Sequence, residues 1–121
     1  MQQFHTRKKA SVGVEVPLYN PDGTASEHWF RIRGVDSDEF RRAETKAKRS
    51  AIELSQIEDE QERADVIRAT ELSVVAELVA GWSFEEPCTH DNVVNFLTEA
   101  PQIADMVNRF AAQRAQFFSK K

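Results

Sequence analysis

Apolar and polar positions change rhythm twice along the chain. Residues 1–9 are polar and basic, without apolar periodicity, and read as a flexible N-terminus. From Val12 the rhythm becomes alternating, with Val12, Val14 and Val16 on one face and Leu18 extending that face past Pro17. The segment Asn20-Pro21-Asp22-Gly23 supplies a φ-fixing proline and a glycine for a left-handed position, the chemistry of a tight turn. A second β-rich run, from His28 to Val35, puts Phe30 and Ile32 on one face and Trp29 on the other, beside Arg31 and Arg33. Residues 10–35 are therefore expected to form a hairpin. Because proline donates no backbone hydrogen bond, Pro17 suggests that its strand lies at an edge.

The period then becomes helical. Asp36 stands as N-cap for a helix over about 37–55, with Glu39 at the capping-box position and Val35 able to pack on Phe40. This helix holds few large apolar residues and is expected to be widely exposed. The acidic run Glu58 to Glu62 either breaks a long helix or opens a second one, where negative charge suits the N-terminal dipole. A helix over about 59–81 follows. On it Ile67, Leu72, Val74, Val75, Leu78, Val79 and Trp82 share one broad arc, with Gly81 as its C-cap. Thr89 caps a short helix at 90–99. Pro101 opens a last one, 101–118, striped by Ile103, Met106, Val107, Phe110 and Phe117. The expected fold is α+β, a single domain over 10–121 of three to four helices with an N-terminal β-hairpin.

Composition narrows the function classes. The 121 residues suffice for one core, and 30% charged with 9% aromatic residues is neither membrane-like nor disordered in character. A formal net charge of −4 removes the general attraction on which non-specific nucleic-acid binding depends. One cysteine, Cys88, rules out an intrachain disulfide framework and fits a reducing cytosol. No signal peptide or membrane span is read in the sequence.

Candidate chemistry is sparse. Cys88 and His90 beside Glu85, Glu86 and Asp91 offer only half of a zinc pattern, and an acidic loop does not activate a thiol. Arg41, Arg42, Lys46, Lys48 and Arg49 make the first long helix basic, but without interleaved aromatics for base stacking. Nucleotide, metalloprotease and serine-hydrolase motifs are absent from the sequence. The expectation is a non-enzyme without cofactor or metal, with Trp82, Phe110, Phe117 and Phe118 as partner-binding candidates. The broad helical arc and the Phe117-Phe118 pair further suggest a weak homo-oligomer.

One stretch carries a family likeness. In Leu78 to Lys121 an apolar helix runs into Gly81-Trp82, a polar loop with Pro87 follows, and Leu97 stands four residues ahead of Pro101 at the start of the last helix. This order resembles the C-terminal half of the small tail assembly chaperones of long-tailed, siphovirus-type bacteriophages. The resemblance implies a chaperone that binds tape measure and tail tube proteins in the host cytoplasm and is absent from the finished virion. It also implies a frameshifted long form, for which the codons of Lys120 and Lys121 would be the slippery site. Two other classes compete: a head–tail or tail completion component retained in the particle, and a nucleic-acid-associated regulator using the basic helix.

Overall fold

The computed structural model describes residues 7–113 and Phe117. The element order is α1 (Arg7–Val12), β1 (Val14–Tyr19), β2 (Ala25–Ile32), α2 (Asp38–Ser55), α3 (Glu60–Ala76), β3 (Val79–Trp82), α4 (His90–Glu99) and α5 (Pro101–Ala111). This is an α+β fold with the expected N-terminal hairpin followed by helices.

The hairpin forms for the reasons its sequence gives. Val14 faces Ile32 and Val16 faces Phe30 across an antiparallel ladder whose register slips between Pro17 and Tyr19. Pro17 does lie on an edge strand, since the sheet order is β1-β2-β3. In the turn, Gly23 adopts φ 91° and its N–H donates to the Asn20 carbonyl at 2.8 Å. Asp22 accepts from the Thr24 hydroxyl at 2.7 Å and the Thr24 N–H at 3.0 Å, and these bonds hold its carboxyl below the usual range.

Several boundaries differ from those expected. Residues 7–9 are not a loose tail but the first part of α1, whose Ala10 is buried and accepts the Gly34 N–H at 3.0 Å. Val12 therefore ends a helix, 63% exposed, instead of sharing the face of Val14. The N-cap of α2 is Ser37, not Asp36. Ser37 has extended backbone and is fully buried, and its hydroxyl accepts the Phe40 N–H at 3.3 Å. Asp36 pairs instead with Arg41 at 3.2 Å, and Glu39 faces Arg33 at 3.8 Å.

The acidic run opens a second helix. Asp59 caps α3 by accepting the Glu62 N–H at 2.8 Å. The expected 59–81 helix stops at Ala76, because the chain turns at Glu77 and pairs with β2, placing Val79 opposite Ile32 and Trp82 opposite Phe30. Gly81 is thus a strand residue facing Arg31, not a helix cap. The two-stranded hairpin becomes a three-stranded sheet. Thr89 caps α4 as expected, accepting the Asn92 N–H at 3.2 Å. Pro101 opens α5, which ends at Ala111 and not at 118.

One apolar cluster joins these pieces. Phe30 and Ile32 from the central strand, Leu78, Val93 and Leu97 from α4, and Val107 from α5 are all essentially inaccessible. Burial of this kind supplies the main drive to fold. In α2 only Phe40 is buried, so α2 and α3 form a helical hairpin with one broad side unpacked.

Candidate functional site

The aromatic candidates divide by burial. Trp82 is half-buried in a cluster with Phe30 (5.9 Å between ring centroids), Phe84 (5.1 Å) and Phe96 (6.1 Å). Its indole N–H donates to the Glu86 carbonyl at 2.7 Å, so the ring also pins the acidic loop. Phe110 is half-buried with its ring 5.7 Å from that of Phe117, in an edge-on arrangement. Phe117 is 6% exposed and faces its own domain, against Gly34. Phe118 lies outside the described residues. The structure therefore brings Phe110 and Phe117 together and leaves Trp82 in a different cluster.

Cys88 is partly buried beside α4 and β3. Burial pushes its thiol above the ordinary value, and Arg33 offsets only part of that shift. Such a thiol is a poor nucleophile at neutral pH. Among the described residues, no group of three or more His, Cys, Asp or Glu side chains is arranged to hold a metal ion.

Sequence reading misses one polar string. The Ser73 hydroxyl lies 3.0 Å from His90 Nε2, and His90 Nδ1 lies 2.8 Å from the Glu77 carboxylate. Ser73 and Glu77 are four residues apart on one helical face, and the turn after β3 returns His90 to them. The order resembles a hydrolytic serine–histidine–acid set, but the setting is wrong for one. Ser73 lies inside α3, where its own N–H and its neighbour's are engaged in the helix ladder and cannot form an oxyanion hole beside the hydroxyl. The string ties the end of α3 to the start of α4.

An extended concave surface is the groove between α2 and α3, about 920 Å³ in volume. Ala43, Ala47, Val66 and Ala69 form much of its floor; Arg42 and Lys46 stand on one rim, and Ser73, Glu77 and His90 close its inner end. Small floor residues between charged rims suit a protein segment better than a small molecule, for which sites are more enclosed. The alanine spacing (i, i+4) was visible in the sequence, but only the α2–α3 pairing makes it a groove.

No helix among the described residues is long and apolar enough to cross a membrane. Comparison with known proteins adds the family. The model of a family described as phage tail assembly chaperone matches residues 1–116 of the chain. Neither the curated proteins nor the solved structures contain a match. A match over nearly the whole length, on an α+β domain with an open helical groove, means that this chain belongs to the phage tail assembly chaperones.

Proposed function

We propose that this chaperone binds the tape measure and tail tube proteins during tail morphogenesis, acts in the host cytoplasm, performs no catalysis, and is left out of the finished virion. The family match carries this reading. The geometry supports it: the α2–α3 groove is open along one side, and α2 buries only Phe40 of its own residues. A surface of that kind holds an exposed apolar segment of another protein until assembly covers it, which is the physical task of an assembly chaperone. Weak self-association belongs to the same reading, with the exposed Ile52 (71%) and Tyr19 (57%) as apolar groups free to meet a second copy. Transience is its distinctive consequence. Quantitative mass spectrometry of infected cells and of purified virions tests it. The chain should be abundant in the lysate and absent from particles, while deletion of its gene should yield heads without tails. A fixed copy number per virion would give the chain a structural role instead.

A further inference from the structure

Charge along the α2–α3 groove is graded from end to end. Arg42 and Lys46 stand over its inner half, near the body of the domain, and Glu53 and Asp65 over its outer half, near the hairpin tip. Of the other acids on the lining, Glu39 lies 3.8 Å from Arg33, which balances its charge; Glu77 lies 2.8 Å from His90, and its single charge stands against the two of Arg42 and Lys46. Lys46 has no ion-pair partner among the described residues. The groove therefore offers net positive charge inside and net negative charge outside, two helical turns apart. From Lys46 to Glu53 the rise is about 10 Å, and from Glu39 to Glu53 about 21 Å, at 1.5 Å per residue.

The floor specifies the shape of the occupant. Ala43, Ala47 and Ala69 keep the walls low, which lets a third helix approach to the usual 8–10 Å between axes. Both walls are helices, so no strand edge is available to pair with an extended peptide. A helix also explains the gradient. Helices place acids in their first turns and bases in their last, complementing their own dipole. Such a helix matches this groove in one direction only.

We infer that the groove receives an amphipathic helix of a partner protein, running parallel to α2, with its acidic N-terminal half over Arg42 and Lys46 and its basic C-terminal half over Glu53 and Asp65. This rests on the chaperone reading and names the kind of segment the chaperone holds. A nucleic acid is disfavoured because the acidic outer half repels phosphate.

Two labelled synthetic helical peptides of about 14 residues, with the same composition and apolar stripe, test the inference by fluorescence anisotropy. One is acidic then basic, the other basic then acidic. The first should bind the full chain about tenfold tighter, the combined effect of a few partly exposed charge pairs. In the variant R42E/K46E the order should reverse, and Ala69→Phe, on an exposed floor position, should abolish binding of both. Equal binding of the two peptides, no binding of either, or an order unchanged in the charge variant overturns it. So does self-association of the chain that is lost in Ala69→Phe, which gives the groove to a second copy, or tight binding of a duplex oligonucleotide there. Capture of the tape measure protein separates the two levels. If wild type and R42E/K46E capture it equally, the chaperone reading stands and the groove inference falls. If the peptides sort as expected but no tail protein is captured, the reverse holds.

Discussion

Phe117 closes over Gly34: a Cβ added to Gly34 would stand 3.1 Å from the Phe117 ring and 3.0 Å from the Ala10 side chain. The glycine thus lets two distant segments, α1 and the residue at 117, meet over the link between the sheet and α2. Gly34→Ala should push the ring and the Ala10 side chain back by a few tenths of an ångström and loosen their contact. Increased proteolytic cleavage near the C-terminus, with little change in far-ultraviolet circular dichroism, is the expected result. Unchanged protease resistance would mean that the ring does not rest there in solution.

Phe117→Ala should lower stability by about 1.5–3 kcal/mol, the usual value for burying such a side chain. Because the ring is turned inward, its loss should be read in chemical denaturation rather than in sedimentation. A denaturation midpoint unchanged in the mutant, with altered self-association, would place Phe117 at a subunit contact instead.

Trp82→Ala should cost up to about 3 kcal/mol, the low end for large aromatic truncations, because the ring is only half-buried. Trp82→Phe should cost less, keeping part of the ring packing and losing the hydrogen bond to the Glu86 carbonyl, worth about 1 kcal/mol. Denaturation of both variants measures the difference. Equal losses would show that the ring packing kept in Trp82→Phe contributes nothing, since both variants lose the hydrogen bond.

Ser37→Ala removes a buried cap and leaves the Phe40 N–H without its acceptor. The expected loss is about 0.5–2 kcal/mol, measured by thermal unfolding. Asp36→Ala should also lower stability, because it removes the ion pair with Arg41 at 3.2 Å.

These positions also show what was legible in the sequence. Local chemistry was enough for the hairpin, the edge position of Pro17, the Thr89 cap and the Pro101 start, since each depends on neighbours in the chain. The same chemistry failed at residues 77–82. Leu78, Val79 and Trp82 continue a helical arc as readily as they line a short strand, and a run this short has no period of its own. The ladder to β2 decides the matter, pairing residues about fifty positions apart in the chain. The Ser37 cap was missed by one position, because Asp36 and Ser37 are both good capping residues and only burial separates them. The groove and the Ser73–His90–Glu77 string were illegible for the same reason as β3: each joins elements that only the tertiary fold brings together.

The Cys88 thiol is held above its ordinary value by burial, so the fold favours its protonated form. That contribution to stability is complete below the unfolded-state value and is lost as pH rises through the higher folded value. Wild type should therefore lose stability relative to Cys88→Ser only above about pH 8.5, the value of a free thiol. Below that pH, disulfide reagents should modify Cys88 more slowly in the folded chain than in urea. Equal rates would mean that the thiol is not shielded.

Co-expression with the tape measure protein of the same phage, followed by size-exclusion chromatography of the cleared lysate, tests the central claim most directly. The chaperone reading predicts that the tape measure protein stays in the supernatant and co-migrates with the chaperone, and that it pellets when the chaperone is omitted. A tape measure protein that pellets equally with and without this chain, and never shares its fractions, would contradict the account.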